Sequence, residues 1–145
     1  MARYLFSLLV CAIGIACTIL ATGGSAWNYL DLPSFIMVGL FPFLFVSVLF
    51  GFRNMAQAFS VPLKKASGKD ALIQALHFFK MYGKTTWIAG LIGVFMGAIA
   101  MLANLGDLSA IGPNVALAIV SPLYSGIINM VIIIPFTIFI KNHRG

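Results

Sequence analysis

The chain has 145 residues, of which 61% are hydrophobic and 8% charged, with a net charge of +6 and a mean hydropathy of +1.06. That composition excludes an ordinary water-soluble domain and leaves little chain for one beside the long apolar runs. The two cysteines, Cys11 and Cys17, both lie inside the first apolar run and offer neither a disulfide framework nor metal-ligand spacing.

The first run covers residues 4–21, after Arg3. A cleavable signal peptide would share the positive start and the small residues Gly24-Ser25-Ala26, but the run is longer than a signal core, so a retained helix is expected. A turn over 22–32 follows, with Trp27, Tyr29 and Asp31; its aromatics suit a membrane–water boundary. The second run, 33–52, opens on Pro33 and carries Pro42 inside it.

Residues 53–86 form a polar loop holding Arg53, Lys64, Lys65, Lys69, Lys80 and Lys84 against a single acid, Asp70. Ser67-Gly68-Lys69-Asp70 has the form of a capping box. It predicts a short amphipathic helix ending near Tyr82, with Gly83 as its stop and Leu72, Ala75, Leu76, Phe79 and Tyr82 on one face. Such a helix lies on the membrane surface or packs under the bundle. His77 reads as an interfacial side chain rather than a ligand.

The third run is 87–105. Gly90, Gly93, Gly97, Ala100 and Asn104 step by three and four, a stripe nearly free of side chains that includes a literal GxxxG. A turn over 106–110 with Asp107 leads to the last run, 113–140, where Ile111-Gly112-Pro113 predicts the helix start. There Asn114, Ala118, Ser121, Ser125 and Asn129 share one face. Lipid cannot satisfy that face, so it must meet protein or a wet path. Pro122 and Pro135 each remove a backbone hydrogen bond and are predicted to bend this helix.

All nine basic residues lie before the first run, between the second and third, or after the fourth. Because cytoplasmic loops retain lysine and arginine, both termini and the middle loop are expected in the cytoplasm. The +6 charge then serves orientation and lipid contact, and no nucleic-acid role is expected. No residue set suggests an enzyme site, a metal or a cofactor: glutamate is absent, both histidines lie outside the runs, and the three aspartates sit at helix ends or in the loop. Ion movement through hydrocarbon relies on an ionisable group at membrane depth, and the chain is expected to supply none. It supplies a wall instead. Hydroxyls of Ser121, Tyr124 and Ser125 and the amide of Asn129 are the candidate ion-path lining, and Gly90, Gly93, Gly97 and Ala118 the candidate packing surface. Ser121 and Ser125 equally well bond their own helix backbone, Tyr124 packs between helices, and Pro135 forms a structural kink.

Three stretches carry a family resemblance. Leu30-Asp31-Leu32-Pro33-Ser34 looks like the opening of a second helix, Gly90-Leu91-Ile92-Gly93-Val94-Phe95-Met96-Gly97 like a glycine-rich third, and Ile111-Gly112-Pro113-Asn114-Val115-Ala116-Leu117-Ala118 with Leu123-Tyr124 and Pro135 like a fourth. On these residues the chain resembles the MotA/TolQ/ExbB proton channel family, in its MotA-like branch. It departs from the pattern at Trp87, where that family has an early proline, at Val94 in place of a threonine, and at Pro122 in place of one of two hydroxyl residues. The middle loop and tail also fall short of the family's cytoplasmic domain, of which Gly68 to Gly83 resembles one helix.

The resemblance implies an all-α membrane protein, one domain over 1–145, with four transmembrane helices, a short amphipathic cytoplasmic helix and a pentameric ring. It further implies a bacterial inner-membrane stator subunit of a proton-driven motor. The ring would surround a dimer of a single-helix partner of the MotB/ExbD/TolR kind, which carries the protonatable aspartate, with the third and fourth helices toward the centre. The remaining hydroxyls lean toward protons over sodium. Two other classes stand beside this reading: a non-conducting four-helix scaffold or assembly factor, and a small-solute transporter. The transporter is opposed by the lack of an internal repeat and of intramembrane charge.

Overall fold

A computed structural model of the chain describes residues 6, 9–14, 16, 17, 30–61 and 68–144, and it contains no strand among them. Three helices are long and apolar enough to cross a membrane: Leu32–Phe50, Lys69–Ala103 and Leu108–Asn142. The described residues of the first run are helical, with Phe6, Leu9, Val10 and Ile13 exposed. The rest of that expected span, the signal-peptide question, Trp27 and Tyr29 lie outside the described residues.

Helix α1 begins at Leu32 with Asp31 as its cap, whose carboxylate accepts the Ser34 amide at 2.8 Å. Its second turn, Ile36–Leu40, widens to π geometry before the helix resumes as Phe41–Phe50. Pro42 explains the widening: it has no amide to donate, and its ring would press on the carbonyl one turn back. The chain leaves α1 through Gly51, whose φ of +81° is the sole positive φ among the described residues. A side chain would strain that position.

The chain then folds back as α2, Phe52–Ser60, a nine-residue amphipathic helix. Ala58 and Val61 are buried and Phe59 is half-buried, while Arg53, Asn54 and Gln57 face outward. The sequence reading had placed these residues in a loop, because Arg53 and the amides outweigh only four apolar positions. Gly51 supplies the missing signal, a turn that lets the apolar face meet α3.

Helix α3, Lys69–Ala103, runs for 35 residues, about 52 Å, from the N-cap residue Gly68. Two expectations are corrected here. Gly83 does not stop a short helix; α3 passes straight through it, and the missing side chain there lets Asn129 and Ile133 pack close to the backbone. Of the predicted capping box, Ser67 lies outside the described residues, and Gly68 caps without a side-chain bond. The apolar face read for this segment is buried as expected: Leu72, Ala75, Leu76, Phe79 and Tyr82 all face inward, but as the first half of one long helix.

Helix α4 comprises Leu108–Ile128, a π segment Asn129–Ile133 and Ile134–Arg144. It starts five residues before the predicted proline start. Asp107 caps it by accepting the Ser109 amide at 2.9 Å, so Pro113 falls inside the helix, where it forfeits a single bond. Pro122 lies within the uninterrupted first segment, whereas Pro135 follows the π segment, as Pro42 follows the one in α1.

The core divides in two along the α3 axis. Toward Lys69 an aromatic base joins all four helices. Phe59 of α2 meets Phe43, Phe78, Phe79 and Phe136 at centroid distances of 6.2, 5.9, 5.2 and 6.1 Å, mostly edge to face. Phe79 stacks on Phe136 at 4.9 Å. Toward Ala103 the contact is α3 against α4 and contains almost no bulk.

Candidate functional site

The stripes read from α3 and α4 do face each other. A Cβ built on Gly90 would collide with the Ser125 hydroxyl, and one on Gly93 with Ser121. At Gly97 it would lie 2.6 Å from the Asn114 carbonyl and 2.7 Å from the Ala118 Cβ. The helices are antiparallel, so ascending glycines meet descending small residues. Gly83, opposite Asn129, extends the same ladder toward the base. Three-and-four spacing from Gly83 through Thr86 to Gly90 was the signal for this extension, masked by reading Gly83 as a stop.

The serine and asparagine groups of the seam find partners within the chain, whereas Thr86 Oγ1 is buried with no hydrogen-bond partner among the described residues. Ser121 Oγ donates to the Leu117 carbonyl at 2.8 Å, with Ser34 Oγ 3.2 Å away on α1. Ser125 Oγ crosses to the Thr86 carbonyl at 2.9 Å, and Asn129 Nδ2 donates to the Ser125 carbonyl at 2.9 Å. Ser34, Thr86, Ser121 and Ser125 are fully buried. Of the four candidate lining residues, three therefore turn into the protein and bond backbone. Tyr124 alone is half-exposed. Its ring meets Phe35 edge on, and its hydroxyl oxygen accepts the Asp31 amide at 3.0 Å.

That last bond brings the start of α1, and with it Asp31, beside Tyr124, through the backbone amide rather than the carboxylate. Ser34 lies level with Ser121, which faces Gly93, and α3 continues ten residues further to Ala103, about 15 Å. Helix α1 is the short member of the three, and its start, with Asp31, docks partway along α4. The seam itself carries no charge: α3 has none after Lys84 and α4 none before Lys141. At the far end Asp107 is held below the ordinary carboxylate range, first by the Ser109 hydroxyl and then by its amide.

Tyr82 marks the lower limit of the seam. Its hydroxyl donates to the Gly39 carbonyl at 3.3 Å, inside the π segment of α1, while Gly83 beside it packs on the π segment of α4. Both irregular turns thus sit at one level, where α1 and α4 pass the same turn of α3. Among the described residues no group of His, Cys, Asp or Glu could hold a metal ion.

Comparison with known proteins singles out the same region. The profile of the MotA/TolQ/ExbB proton channel family matches residues 55–144, which takes in α3, α4 and most of α2. The chain is 36% identical over 62 residues to chemotaxis protein PomA of Vibrio alginolyticus, covering 43% of this chain and 24% of that protein. It is 46% identical over 55 residues to motility protein A of Aquifex aeolicus, covering 38% of this chain and 22% of that one. The matched stretch spans about a quarter of the length of either relative.

Proposed function

The chain belongs to the MotA/TolQ/ExbB proton channel family, on its MotA-like branch, and from that premise we propose that it is the wall-forming stator subunit of a proton-driven membrane motor. The observation that carries this reading is the seam: two apolar helices in the family-matched segment, locked at glycine distance, with no charge in α3 beyond Lys84 and none in α4 before Lys141. A wall against which another polypeptide moves needs stiffness more than chemistry, and backbone-close packing supplies it.

In the proposed assembly five copies surround a dimer of a single-helix MotB/ExbD/TolR-like partner in the bacterial inner membrane, with both termini cytoplasmic. The partner's aspartate carries the proton. Each charge crossing a 100 mV potential releases about 2.3 kcal/mol, so mechanical output needs repeated transfers. Ser121, Ser125 and Asn129 act by holding α3 to α4, and Tyr124, positioned by the Asp31 amide, is the hydroxyl nearest an open face. The full burial of Ser121 and Ser125 favours one alternative, a non-conducting scaffold of the same fold.

Proton flux into liposomes containing this chain and the partner separates the two. The stator reading expects flux that vanishes when the partner's aspartate becomes asparagine. No flux with the intact partner supports the scaffold. Flux from this chain alone that is lost in Asp31→Asn would move the carrier onto this subunit and overturn the proposal.

A further inference from the structure

Below the seam, on the face of α3 turned away from Tyr82 and α1, lies an open cleft of about 380 Å³ that the stator reading does not use. Lys80 and Lys84 of α3 and Lys141 of α4 line it, together with Trp87, Ile134 and Ile138. In a helix each Cα–Cβ bond tilts toward the N-terminus. With α3 and α4 antiparallel, Lys80 and Lys84 lean toward Lys141, and Lys141 leans back toward them. No acid lines the cleft. Of the three acids of the chain, Asp107 lies beyond the opposite end of α3, Asp31 stands beside Tyr124, and Asp70 is exposed in the first turn of α3, about 15 Å along the helix from Lys80.

Three cations converging on one cleft from two helices call for an anion. The floor says which kind. Trp87, Ile134 and Ile138 are each about half exposed, at 53, 51 and 52%, and all three lie on helices apolar enough to span a membrane. A tryptophan next to lysines at the end of an apolar span is the arrangement of a membrane–water interface. We propose that this cleft binds the headgroup of an anionic phospholipid, its phosphate between Lys80, Lys84 and Lys141 and one acyl chain along Trp87, Ile134 and Ile138. A soluble phosphate would use the lysines and leave the apolar floor uncovered, whereas a phospholipid covers both. The site is independent of whether ions are conducted.

The full chain with Trp27→Phe leaves Trp87 as the sole tryptophan, so its fluorescence reports on the cleft. In liposomes, phosphatidylglycerol with brominated acyl chains is expected to quench Trp87 well beyond phosphatidylcholine brominated in the same way and at the same mole fraction. Each Lys→Gln change at 80, 84 or 141 lowers the preference about five-fold, and the triple variant abolishes it with helical content unchanged by circular dichroism. Equal quenching by the two lipids overturns the proposal, as does a preference that survives the triple change. Millimolar inorganic phosphate that erases the preference assigns the lysines to a soluble anion instead. Insensitivity of Trp87 to either lipid means that a neighbouring protein surface fills the cleft, which also overturns it.

Discussion

The aromatic base and the glycine seam hold the same two helices by opposite means. In the base, Phe59, Phe78, Phe79 and Phe136 fill the space between elements, and stability scales with the area they remove from solvent or lipid. In the seam there is no space to fill: Gly90, Gly93 and Gly97 let the backbones touch, and what matters is the absence of atoms. The difference shows that one region tolerates loss of volume poorly and the other tolerates gain poorly. Truncation and enlargement therefore probe them separately.

The largest effect is expected in the base. Phe79→Ala removes a fully buried ring touching three others and should cost about 3–5 kcal/mol. Unfolding in detergent measures it, and a cost below about 1 kcal/mol would mean the rings pack loosely. Next comes the seam: Gly97→Ala forces a methyl group against the Asn114 carbonyl and Ala118, at about 3 kcal/mol. Gly90→Ala should be partly rescued by Ser125→Ala, because the hydroxyl is the nearest obstruction and the Ser125 Cβ stands at 3.0 Å. As a control, Gly126→Ala, with nothing near its missing Cβ, should stabilise by up to about 1 kcal/mol. A loss there instead would place Gly126 at a contact between copies.

Smaller effects test the boundary between the regions. Tyr82→Phe removes the bond to the Gly39 carbonyl and should cost about 1 kcal/mol, read by the same unfolding assay. The smallest is linked to pH. Asp107 titrates below its ordinary value in the fold, so the stability it contributes is fully present above the ordinary carboxylate range and is lost as pH falls through its lowered value. Asp107→Asn should flatten that acid limb without changing stability at neutral pH by more than its cap is worth.

The seam was legible in the sequence because three-and-four spacing is a local property that needs no tertiary information; the facing residues Ser121, Ser125 and Ala118 could be named from it. The base was not. Its aromatic residues come from four separate segments, and α2 hides among charged and amide residues until Gly51 turns it inward. Gly83 misled because glycine both ends helices and lets them touch, and only the partner strip at Asn129 decides between the two. Asp31 was legible as a helix-end residue because capping is local, whereas its neighbour Tyr124 depends on where α1 docks.

One irregular turn has a bearing on how α4 tolerates change. The π segment Asn129–Ile133 contains one residue more than a regular turn would hold, so everything beyond it is swung by roughly 100° relative to a straight α-helix. Deleting a single residue there, Met130 for example, would let the helix close into ordinary geometry without a break. Thr137, Ile138 and Lys141 would then keep their present directions, whereas deleting a residue from a regular turn of α4 would swing them by roughly 100°. Counting positions along α4 is a sound guide up to Asn129, and past it the numbering must be re-indexed by one.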